Sequence, residues 1–92
     1  MKIMIIDVGY DNKTVEIKDT EKKISYHKIF DIDDKISYKR FYKYVIAQAE
    51  KYRVDEIHVD SFGVSEVFYD YIINNASDDI KNKTIQFKHV DM

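Results

Sequence analysis

The chain has no cysteine. That excludes disulfides, zinc-thiolate sites and a thiol nucleophile, and it suits an intracellular, cytoplasmic setting. Glycine is nearly absent as well: Gly9 and Gly63 are the only two among 92 residues. No glycine-rich loop is therefore present to cradle a phosphate, and Ser61 and Ser65 lack the flanking glycines of a nucleophile elbow. There is no excess of positive charge, since 15 Lys and Arg stand against 17 Asp and Glu. A net charge of −2 excludes a global basic field that would hold nucleic acid or an anionic membrane without specificity. No long hydrophobic run occurs either. Ile3 to Ile6 is the longest, far too short for a membrane span or a signal-peptide core, so a soluble protein is expected.

What is present suffices for one small domain. Hydrophobic residues make up 45% of the chain, enough for a core, and 92 residues leave room for a single one, spanning residues 1–92. Lys2-Ile-Met-Ile-Ile-Asp7-Val8 is apolar at consecutive positions, as a central strand buried on both faces would be. Gly9 to Asn12 reads as a turn, and Thr14 to Lys18 alternates with period two, so a hairpin is expected. Alternation resumes from Ile24 to Ile32 as a third strand.

From Ser37, a plausible N-cap, Phe41, Tyr44, Val45, Gln48, Ala49 and Tyr52 recur at helical spacing. Asp55 to Asp60 reads as a short strand. A second helix follows with a stripe of Val64, Val67, Phe68, Tyr71 and Ile72, ending at Asn74-Asn75. Ser77 to Lys83 reads as a polar linker, and Thr84 to Val90 as a last strand. The order is β-β-β-α-β-α-β. With the first strand central, the strand order becomes 3-2-1-4-5 in a five-stranded mixed sheet. The right-handed crossover rule then places both helices on one face.

Two chemistries compete on this frame. The C-terminal ends of the first and fourth strands carry Asp7 and Asp60, and in matched register their backbones would lie about 5 Å apart, close enough to share Mg²⁺ or Mn²⁺. Such a cation would bind phosphate oxygens and activate water. His27, His58 and His89 show no metal-ligand spacing, and no zinc is expected. The other candidate is a protein-binding surface. A sheet with helices on one face leaves the other bare, and Ile3 and Ile5 point one way while Met4 and Ile6 point the other. A second copy or a protein partner would bury the uncovered side. Tyr42 and Ile46 on the first helix, and Tyr69 and Ile73 on the second, lie outside the core stripes and join Met4 and Ile6 as candidate protein-contact residues. A weaker basic group of Lys35, Lys39, Arg40 and Lys43, interleaved with aromatic residues, could follow a nucleic-acid backbone, although Asp31, Asp33 and Asp34 stand directly before it.

The motif Asp7-Val8-Gly9 at a strand end, then Ile57-His58-Val59-Asp60-Ser61-Phe62-Gly63-Val64-Ser65 running into a helix, resembles the ribonuclease-H-like superfold. The second segment is similar to the nuclease domain of phage terminase large subunits, and RuvC-type resolvases are similar in outline. The resemblance implies Asp7 and Asp60 as the first and second metal-binding carboxylates. Nucleases of this superfold take a third carboxylate from a later segment or a C-terminal helix, and here Asp91 is the single late candidate. The expectation is thus a non-catalytic interaction module without a cofactor, a homodimer or a binder and inhibitor of another protein, of the kind phages and mobile elements carry. The alternative is a Mg²⁺- or Mn²⁺-dependent nuclease using Asp7, Asp60 and Asp91.

Overall fold

A computed structural model describes residues 1–8, 12–22, 24–31, 37–60 and 64–87. It is an α/β domain. The strands are β1 (Lys2–Val8), β2 (Asn12–Asp19), β3 (Ile24–Asp31), β4 (Glu56–Asp60) and β5 (Thr84–Phe87), and the helices are α1 (Tyr38–Tyr52), α2 (Val64–Asn75) and α3 (Asp78–Lys83). The strands form one sheet in the order β3-β2-β1-β4-β5. The pairs β1–β2 and β2–β3 are antiparallel, whereas β1–β4 and β4–β5 are parallel.

Period two in β1 sorts its side chains cleanly. Met4, Ile6 and Val8 are buried, and they alternate with half-buried Ile3 and Ile5 and exposed Asp7. Cross-strand partners share a face, so the register joins Met4 and Ile6 to Ile17 and Val15 of β2 and to Ile57 and Val59 of β4. All six are buried, in one cluster with Phe41, Val45 and Ala49 of α1 and Phe68 and Ile72 of α2. Both long helices therefore cover the same face. Phe41 and Phe68 link them, their ring centroids 4.9 Å apart at a tilt of 54°.

Local chemistry fixes the helix ends. The Ser37 hydroxyl accepts the Arg40 amide at 3.2 Å and opens α1. At the other end Arg53 adopts a left-handed conformation (φ 51°, ψ 54°), its N–H donates to Glu50 O, and the Val54 N–H reaches back to Ala49 O at 3.1 Å. That is a Schellman closure with arginine at the position glycine usually fills, and it buries Val54 against Ala49. Asp55 then anchors the chain to the start of β1. Its carboxylate accepts the Lys2 N–H at 2.8 Å, and its own N–H donates to Lys2 O at 2.8 Å. The parallel register Ile3↔Glu56 follows from this clamp one residue later.

The segment 77–83, expected to be a polar linker, is the helix α3. Six residues with a single apolar side chain, Ile80, carry no readable period, and capping supplies the stability instead. Ser77 is the N-cap, Asp78 and Asp79 sit in the first turn, and Lys81 and Lys83 in the last, each complementing the helix dipole. Lys83 pairs with Asp79 at 3.3 Å and donates to Val54 O, while the Thr84 hydroxyl donates to Ile80 O at 2.6 Å. Val67, expected in the core stripe of α2, is instead 53% exposed. The α2 stripe that packs on the sheet is Phe68 and Ile72, and Val67 lies a quarter-turn or more away from it. Among the described residues the last strand ends at Phe87, and the expected continuation to Val90 lies outside them.

Candidate functional site

The face of the sheet away from the helices is built in rows. In the first row Lys18 of β2, Ile3 of β1 and Glu56 of β4 lie side by side; in the second, Glu16, Ile5, His58 and Ile85 of β5. In each row an isoleucine is flanked by polar side chains. Glu16 and Lys18 pair along β2 at 3.7 Å, and His58 Nε2 lies 3.0 Å from Glu56 Oε1 along β4. Ile85 at the rim is 41% exposed. Among the described residues, no helix lies over these rows, because the cluster that holds the helices contains only the opposite set of side chains.

This arrangement corrects one expectation. Met4 and Ile6, proposed for the exposed side, are 0% exposed beneath the helices, and the uncovered apolar pair is Ile3 and Ile5. The signal lay in the neighbouring strands: Val15 and Ile17, Ile57 and Val59 all side with Met4 and Ile6, while Glu16, Lys18, Glu56 and His58 side with Ile3 and Ile5. Reading β1 by itself concealed it.

The third row carries the carboxylates. The β1–β4 register runs to Ile6↔Val59, and extending it by one residue sets Asp7 beside Asp60, on the face of Ile3 and Ile5. Asp7 is exposed and pairs across β2 with Thr14, whereas Asp60 is only 9% exposed and pairs across β5 with Phe87. Asp91 lies outside the described residues. Among the described residues no group of three or more His, Asp or Glu side chains is placed to hold a metal ion.

The helix-layer candidates separate into two groups. Tyr42 and Ile46 are half-buried on the side of α1 that meets α2, where the Tyr42 and Tyr71 rings sit 5.3 Å apart, edge to face. Desolvation, followed by the neighbouring Tyr71, pushes the Tyr42 hydroxyl above its ordinary value of 10.0. Tyr69 lies two residues from Tyr71, about 200° around the helix, so Tyr69 and Ile73 face away from α1. All four are partly buried, and they do not form one surface. Of the basic group, Lys39, Arg40 and Lys43 are exposed near the start of α1, with no acidic residue in its first turn, and Lys35 lies outside the described residues.

No family model matches the chain. No curated protein matches it either. Among solved structures, the chain is similar to Pelota of Archaeoglobus fulgidus, a protein whose crystal structure is described as revealing inter-domain structural plasticity. The superposition has a TM-score of 0.66 at 12% identity and covers 96% of this chain but 26% of that one. At that identity the likeness shows the fold alone. This chain spans about a quarter of the length of Pelota, which makes the match one of a domain with part of a larger protein. No helix among the described residues is long and apolar enough to cross a membrane.

Proposed function

We propose that this chain is a non-catalytic protein-interaction module, a ribonuclease-H-like sheet that binds protein through its helix-free face. The observation that carries this reading is the set of Ile3, Ile5 and Ile85 on that face, apolar side chains in two adjacent rows that the helices among the described residues leave uncovered. Apolar residues framed by polar ones are the composition of a binding patch, with a core that excludes water and a rim that sets orientation. Affinity capture with the wild-type chain and with Ile5→Asp tests it. Loss of a captured protein in Ile5→Asp, with the circular dichroism spectrum unchanged, supports the reading. Identical captures from both chains would sink it.

A second reading is favoured by the third row. Carboxylates such as those of Asp7 and Asp60, one residue beyond the last register pair of β1 and β4, are hard oxygen donors of the type Mg²⁺ and Mn²⁺ prefer. Two such ligands leave most of a cation's coordination to water, so the pair fits a weakly held ion, and the nuclease alternative needs a further donor such as Asp91. Titration with Mn²⁺, followed by NMR line broadening, separates the readings. Saturable broadening that Asp7→Asn abolishes would revive metal-dependent phosphodiester cleavage, while its absence at about millimolar metal leaves the interaction surface as the function.

A further inference from the structure

We infer that the occupant of the uncovered sheet face is a second copy of this chain, packed face to face with its strands running opposite to the first. The inference rests on the reading of that face as a protein-binding surface, and it goes further by naming the partner and the orientation. The observation behind it is the pattern of charge. Glu16 and Lys18 are opposite charges two residues apart on β2, paired at 3.7 Å, and on β4 the carboxylate of Glu56 and the imidazole of His58 have the same two-residue spacing, 3.0 Å apart. Between them Ile3 and Ile5 have the same two-residue spacing on β1, in the same two rows. An acid and a base spaced along one strand are their own complement when turned end for end. A two-fold axis lying in the interface and crossing β1 at the level of Met4 therefore sets Ile3 on Ile5 of the second copy, Lys18 on its Glu16 and Glu56 on its His58. Every contact occurs twice, as an isologous interface requires.

The alternative two-fold, parallel to β1, also opposes complementary groups, Lys18 to Glu56 and Glu16 to the His58 imidazole. It is disfavoured because it drives the two Asp7 carboxylates onto each other at the axis. The end-for-end arrangement puts them at opposite ends of the interface, where solvent screens them. Sheets packed face to face keep their strand directions within about 30° of parallel or antiparallel, which this arrangement satisfies. The overlap spans only a few rows of side chains, so the association is of the weak, concentration-dependent class.

Sedimentation equilibrium on the full chain from about 10 µM to about 1 mM tests the inference. The expected result is a monomer of 11.0 kDa passing to twice that mass as concentration rises. Lys18→Glu, which opposes acid to acid at both symmetry-related contacts, should weaken association ~10-fold or more. Combining Lys18→Glu with Glu16→Lys reverses the pair and should restore self-association. That charge-swapped chain should fail to pair with wild type, which native mass spectrometry of a mixture with one ¹⁵N-labelled chain reads directly. A monomeric mass over the whole range, a dimer indifferent to Lys18→Glu, or free cross-association of the swapped and wild-type chains would each overturn it. If wild type stays monomeric while Ile5→Asp still loses a captured protein, the second-copy inference alone falls. A dimer indifferent to both Lys18→Glu and Ile5→Asp uses another surface and brings down the reading of this face with it.

Discussion

Ile5 and Ile6 are neighbours on one strand, and they live in different environments. Ile6 lies at 0% exposure beneath α1 and α2, packed with Val15 and Val59, whereas Ile5 is half-buried between Glu16 and His58 on the other side of the sheet. The covered face is uniformly apolar in the middle of the sheet, and its work is stability. The open face interleaves isoleucine with paired polar side chains, a composition suited to a surface that must be soluble when free and selective when bound. The same seven-residue strand serves both roles because a strand presents alternate side chains to opposite sides.

The comparison is broken most directly by truncation in the covered layer. Phe68→Ala removes a side chain at 0% exposure that packs against Phe41, and it should cost about 3–5 kcal/mol in denaturant unfolding. In a domain of this size that approaches the whole stability. Ile6→Ala should follow at about 2–5 kcal/mol. Ile5→Ala, one residue away, should cost less than about 1.5 kcal/mol in dilute solution, because part of its surface is already in water. Equal losses for Ile5→Ala and Ile6→Ala, measured by thermal unfolding, would show that the two faces are equally covered.

Smaller effects probe how the sheet is held in register. Asp55→Ala removes the carboxylate that accepts the Lys2 amide, and a loss of about 1 kcal/mol is expected, with faster amide exchange at the β1–β4 end. Arg53→Gly should instead stabilise the protein by about 0.5–1 kcal/mol, since glycine occupies the left-handed position closing α1 without a side-chain clash. The smallest effect lies in the β2–β3 turn. Desolvation pushes the Asp19 carboxyl upward, but hydrogen bonds from the Glu21 and Lys22 amides, together with the positive charges of the N-terminus and Lys22, outweigh it and hold the group below its ordinary value of 3.8. A lowered folded-state value means a contribution present above that ordinary value and lost as pH falls through the folded one. Asp19→Asn should therefore flatten a small part of the stability change below about pH 4, read from acid titration of the melting temperature.

Much of the local structure was legible in the residues. Period two marked the strands, period 3.6 marked α1 and α2, and Ser37 marked where α1 begins. The α3 helix was not legible by period, although Ser77, the acids after it and the lysines at its end carried a capping signal. Val67 misled because an apolar residue at helical spacing looks like core until the neighbouring element is known. For the candidate site, Asp7 and Asp60 were visible as acidic strand ends, and Ile3 and Ile5 as one side of β1. The polar frame around them was not, since the Glu16–Lys18 pair and the Glu56–His58 pair lie on strands far apart in the sequence and each looks like an ordinary solvated position.

The sequence by itself determined the α/β class, the positions of the principal elements and the two-sidedness of β1, because hydrophobic period is a local property that neighbouring residues express together. Tertiary structure decided which side of β1 the helices cover, and therefore which isoleucines remain open. That choice depends on partners across the sheet, Val15 and Ile17 on one edge and Ile57 and Val59 on the other, brought alongside by the hairpin and by the clamp of Asp55 on Lys2. Register is a long-range quantity. It is set by hydrogen bonds between residues more than fifty positions apart, which no window along the chain contains.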